Sequence, residues 1–89
     1  MILRMATVEL TPSAREEYND LPIVIHARVT EVMVRLQQWP NVSGAKPLRK
    51  ELKGKFRIRT GDWRVVFYYT KENDIVTVWK IGNRGGVYD

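Results

Sequence analysis

From residue 55 onward, apolar and polar side chains alternate. Phe56 and Ile58 interleave with Arg57 and Arg59, and Val65 and Phe67 flank the positions of Arg64, Val66 and Tyr68. A period of two is the signature of a strand with one face on a core. It predicts strands over about 55–60, 63–70 and 75–81, joined by turns at Gly61-Asp62 and at the run "KEND". Earlier in the chain the period changes. Ile25, Val29, Val32, Leu36 and Trp39 follow one another at steps of four, three, four and three, which keeps them on one helical face. That stripe predicts a helix from Pro22 to about Trp39, stopped by Pro40. Before it, residues 2–10 read as a strand. Ser13 and Glu16 have capping-box spacing and Pro12 suits a first helical turn, so a short helix is expected to run on to about Asp20. Residues 40–54 are a basic connector with two prolines and room for a helical turn near Leu48 to Lys53.

The resulting order is β-α-α-β-β-β, an α+β fold over a single domain, 1–89. Tight turns make the last three strands an antiparallel meander, and the two N-terminal helices pack on one face of the sheet. The opposite face, carrying Arg57, Arg59 and Arg64, is expected to stay open to solvent.

Composition narrows the chemistry. Of 89 residues 44% are hydrophobic, enough for one core. There is no cysteine, which removes disulfides and thiolate metal sites, and the one histidine, His26, lies off the helical stripe and reads as a solvated helix residue. No metal or cofactor is expected. The apolar runs fall short of a membrane span, and "MILRMATVEL" lacks the features of a signal peptide, so a cytoplasmic protein is expected, with no membrane partner. The formal charge is +5 and the pI about 9.8. Lys46, Arg49, Lys50, Lys53, Lys55, Arg57, Arg59 and Arg64 crowd one segment against only Glu51 and Asp62, while acids cluster earlier in "REEYND". The asymmetry points to a polyanion, nucleic acid before a membrane surface, with a merely solubilising surface as the plainer reading.

Arg57 and Arg59 share a side of their strand, Arg64 lies across the turn, and Arg84 and Tyr88 follow the last strand. Guanidinium groups match phosphate through paired donors, and an aromatic ring can stack on an unpaired base. Such a set suits single-stranded RNA at one phosphodiester, either gripping it or assisting attack by the 2′-hydroxyl through stabilised phosphorane charge. A polar sheet face with scattered ion pairs is the alternative.

The run "LKGKFRIRTGDWRVVFYYTKENDIVTVWKIGNRGGVY" resembles the C-terminal half of the RelE/ParE toxin superfamily. The resemblance rests on Leu52 and Gly54, Phe56, the alternating Arg57 and Arg59, the turn from Gly61 to Val65, and the closing Gly82, Arg84, Val87 and Tyr88. It implies a RelE-like fold and a toxin of a type II toxin-antitoxin pair. In the RelE branch it implies a metal-independent endoribonuclease that cuts mRNA in the ribosomal A site. Carried over to this chain, Arg64 would stabilise the transition-state phosphate, Arg84 the phosphate or leaving group, and Tyr88 would stack on a base or help activate the 2′-hydroxyl. Arg57 and Arg59 match positions that are lysines in well-known members. Arg59 keeps its proton and Asn83 replaces a histidine found in many relatives, which leaves Tyr88, Glu51 and Asp89 as candidate bases. Lys46, Arg49, Lys50, Lys53 and Lys55 would grip rRNA phosphates with strong salt dependence.

The same resemblance implies partners: the ribosome, mRNA and a cognate antitoxin in a hetero-oligomer, docked in part on apolar residues such as Val24 and Val34. Two other functions share the fold: a ParE-like poison of DNA gyrase, and an inactive module that only binds antitoxin.

Overall fold

The first helix takes its start from Thr11. In a computed structural model, which describes residues 4–83, the Thr11 side chain accepts the Ala14 amide at 3.1 Å, so the cap lies two residues before Ser13. Helix α1 spans Pro12–Asn19 and α2 spans Ile23–Leu36; around them run strands β1 (Thr7–Leu10), β2 (Lys46–Pro47), β3 (Lys55–Thr60), β4 (Trp63–Thr70) and β5 (Ile75–Asn83). A single 3₁₀ turn occupies Lys50–Leu52, within the connector where a helical turn was expected.

The strands lie in the order β1-β5-β4-β3-β2. The meander β3-β4-β5 is antiparallel as expected, and β2 adds to it antiparallel. Strand β1 joins β5 in parallel, with Leu10 opposite Val78, so the whole sheet is mixed. The β3-β4 hairpin closes through two residues, Gly61 and Asp62. Of the two only Gly61 has positive φ, at 62°, the φ pattern of a type II′ turn that matches strand twist. In β5, Lys80 pairs with Val66 but Val78 pairs with Phe67, so Trp79 is an extra residue and marks a bulge.

One face of the sheet meets the helices. Val29, Val32 and Leu36 of α2 and Ala14 of α1 pack with Ile58, Val65, Phe67, Val76, Val78 and Ile81, all of them buried. Trp39, just beyond α2, closes this layer edge-on, its ring 4.9 Å from Phe56 and 5.2 Å from Phe67. His26 is half-buried and stacked on the Tyr18 ring at 4.0 Å, a packing role rather than a solvated one. At the far end of the meander, Asp74 accepts hydrogen bonds from Arg4 and, at 2.8 Å, from Tyr69. The Asp74 carboxylate holds the Tyr69 phenol above its usual pKa, because ionisation would lose that bond and place two anions together. No helix among the described residues is long and apolar enough to cross a membrane.

Candidate nucleic-acid interface

Strand register places the basic residues in rows on the face turned away from the helices. Residues directly opposite across an antiparallel pair share a face. Arg59 is opposite Arg64, and Arg64 is opposite Gly82, which makes one row beside the hairpin turn. The next row is Lys46, Arg57, Val66 and Lys80. The third pairs Lys55 with Tyr68 and Tyr68 with Thr77. Arg57, Arg59 and Arg64 are therefore brought together, as the alternation predicts. Arg84, Tyr88 and Asp89 lie outside the described residues.

The expectation that this face stays open is corrected. Arg64 is only 4% exposed and Val66 is fully buried; Arg57 is half-buried, and Arg59 alone of the three is exposed. The cause is the side chains themselves. Val66 is surrounded on its face by Arg57, Lys80, Arg64 and Tyr68, and long side chains of this kind cover apolar surface with their stems; at Arg64 the enclosure takes in the whole side chain. Lys80 is committed elsewhere: its ammonium donates to Glu17 of α1 at 3.0 Å.

The connector cations divide. Lys46 sits in register beside Arg57. Lys55 extends over two rings, 5.0 Å from the centre of Trp79 and 5.8 Å from that of Tyr68. Arg49 and Lys50 line a cleft of about 650 Å³ whose walls are the segment from Pro47 to Leu52 and the side of Trp79. Lys53 is exposed and ends the 3₁₀ turn. Glu51 stands in the wall of that cleft, which no member of the arginine row lines. Leu48 is 5% exposed yet does not belong to the main core, so the cleft has an apolar floor of its own on the basic side of the sheet. Trp79 was not singled out from the sequence. Its signal there is a break in alternation: Val76 and Val78 are core residues, and the next one is Ile81 rather than Lys80.

Helices on one face and a row of basic side chains on the other define a small basic α+β protein. The chain belongs to the ParE toxin family: the family described as ParE toxin of type II toxin-antitoxin system, parDE, matches residues 8–88. It is thus a type II toxin-antitoxin toxin of the RelE/ParE superfamily. It is similar to Toxin RelG of Mycobacterium tuberculosis (strain ATCC 25618 / H37Rv), 32% identical over 82 residues that cover 92% of this chain and 94% of RelG. The toxin-antitoxin complex RelBE2 of Mycobacterium tuberculosis contains a chain of 32% identity and TM-score 0.80, covering 93% of this chain and 95% of that one. The isolated E. coli RelE toxin shares the fold at 15% identity and TM-score 0.77, over 92% of this chain and 87% of that one.

Proposed function

We propose that this toxin is a ribosome-dependent endoribonuclease that cleaves mRNA in the A site and so stops translation. The observation that carries the reading is the Arg59–Arg64 pair, side by side on adjacent strands, with Arg57 one row away. In the proposed reaction the 2′-hydroxyl attacks the adjacent phosphorus and gives up its proton. The P–O5′ bond breaks, the 5′-oxygen leaves as a hydroxyl after taking a proton, and a 2′,3′-cyclic phosphate remains. Negative charge grows on the phosphorane oxygens, and fixed guanidinium charge favours that state over the ground state. Exposed Arg59 makes the first contact with the phosphate. Arg64 beside it on β4, almost wholly enclosed, supplies positive charge that needs little reorganisation. Arg84 and Tyr88 complete the set by the family resemblance, acting on the leaving group and on a base. Work on ribosomes places the protein in the cytoplasm.

The partner in this reading is a cognate antitoxin, supported by the RelBE2 toxin-antitoxin complex. Ile23, Val24 and Val34 expose 86%, 59% and 57% of their surface along α2, apolar area of the kind an antitoxin segment covers.

Induction followed by mapping of new mRNA 5′ ends tests the reading. In-frame cuts are expected with the wild type. They are expected to vanish in Arg64→Ala and Arg84→Ala and to fall at least tenfold in Arg59→Ala, since losing one positioned charge-stabilising donor costs on the order of 10²–10³ in rate. Arg59→Ala alters an exposed residue, and a circular dichroism spectrum and melting temperature like those of the wild type are expected, which separates its loss of cutting from a folding defect. Growth arrest with intact mRNA and broken DNA favours the second reading, gyrase poisoning, since one fold serves more than one function. Harmless overexpression leaves only antitoxin binding.

A further inference from the structure

The cleft beside Trp79 has three properties that the arginine row does not explain. First, its aromatic wall is produced by the bulge in β5, which inserts Trp79 as an extra residue between Val78 and Lys80 in a ladder that is otherwise regular. Bulges re-aim side chains. Second, its floor is apolar, with Leu48 buried and Leu52 half-buried. Third, its rim carries an excess of cations: Arg49 and Lys50 against Glu51 in the wall, and Lys55 over the Trp79 ring. A flat aromatic ring, an apolar floor and cations at the edge fit a nucleobase with its flanking phosphates. They fit a purely acidic or a purely apolar ligand less well, since each leaves half of the lining unused.

The position relative to the arginines fixes which nucleotide is meant. Lys55 and Arg59 are on the same strand and the same face, four residues apart, hence roughly 13 Å along the strand. One phosphodiester cannot touch both ends of that span, but one extended strand can.

We propose that the Trp79 cleft is a base-stacking subsite for single-stranded RNA, holding a nucleotide that flanks the phosphodiester gripped at Arg59 and Arg64. The base lies on Trp79 above Leu48, and Arg49, Lys50 and Lys55 take the phosphates on either side. Trp79 is a positioning residue, since it touches RNA away from the reacting atoms. The inference rests on the RNA reading above and adds to it a second point of contact that sets where along the strand the cut falls.

The test measures binding of the full chain to a short fluorescein-labelled single-stranded RNA and to versions with one abasic nucleotide moved along it. Trp79→Ala is expected to weaken binding about tenfold, within the range that base–aromatic stacking contributes, and Trp79→Phe to keep most of the affinity. With the abasic nucleotide at one particular position, the wild type is expected to fall to the level of Trp79→Ala, and the two proteins become equal there. Wild-type affinity in Trp79→Ala overturns the proposal and leaves the cleft to some other ligand. A deficit of the same size at every abasic position also overturns it, because the substitution then acts through the packing of the 47–52 segment. Absence of RNA binding by the wild type overturns it as well. Failure of the nuclease reading is separable. Stacking with intact mRNA in induced cells keeps the subsite and removes the nuclease; cuts that depend on Arg64 but not on Trp79 do the reverse.

Discussion

Beyond Val78, no strand among the described residues flanks β5 on one side, because β1 ends at Leu10. An edge of that kind leaves amides without ladder partners, and a buried amide without a partner is costly. Glu17 of α1 fills the gap. One carboxylate oxygen accepts the Ile81 amide at 2.9 Å and the other accepts the Lys80 ammonium at 3.0 Å. Replacing Glu17 by Ala removes both and is expected to cost about 1–3 kcal/mol. Glu17→Gln keeps an acceptor for Ile81 and loses only the partly exposed ion pair, worth at most about 1 kcal/mol. Urea unfolding of the two variants checks the order; equal stability of Glu17→Ala and wild type would remove Glu17 from this role. The sequence shows Glu17 only as one acid in "REEYND". Which of those acids reaches a strand 63 or 64 residues away is decided by the packing of α1 on β5, not by local pattern.

Helix α2 was the most legible element, because its buried positions recur at the helical period, although it ends at Leu36, three residues short of the expected Trp39, and reaches Pro40 through turns. Val29, Val32 and Leu36 of the expected stripe are fully enclosed, whereas Ile23, Val24 and Val34 on its other faces are exposed. Leu36→Ala is accordingly expected to cost about 2–5 kcal/mol by leaving a cavity, while Val34→Ala should stay within about 0.5 kcal/mol of wild type. Thermal unfolding separates them, and a large loss at Val34 would mean that the free protein already covers that face. The meander was legible for a similar reason: alternation and turn residues give β3, β4 and β5 to within two residues. Strand β1 was legible as a strand, but its expected span of 2–10 is cut back to Thr7–Leu10 among the described residues. Its four residues carry no mark of which strand they join, and a parallel partner distant in sequence is chosen by the whole fold. The burial of Arg64 was likewise invisible, since the residue type alone argues for water. It follows from neighbours that only the register brings together.

On the scale of the whole molecule, charge and shape contribute differently to the same interface. The net charge of +5 is concentrated on the sheet face opposite the helices and on the loop beside it. Charge acts at a distance and without regard to sequence, so Lys46, Arg49, Lys50 and Lys53 are expected to bring RNA to the face and hold it by counterion release. In the proposed complex the Trp79 ring acts only at contact and depends on a base being there. The two contributions therefore separate in a salt titration of single-stranded RNA binding. Removing two exposed charges together, Lys46→Gln with Lys50→Gln, should lower the slope of log affinity against log salt by roughly 1.4, about 0.7 for each phosphate that is no longer neutralised. Affinity should fall alike for every sequence. Trp79→Ala should weaken binding at all salt concentrations and leave the slope where it was. If the double lysine variant keeps the wild-type slope, those cations are solvated surface, and the arginine rows alone hold the strand. If the Trp79 variant changes the slope, the ring serves mainly to position Lys55, and the cleft works by charge rather than by stacking.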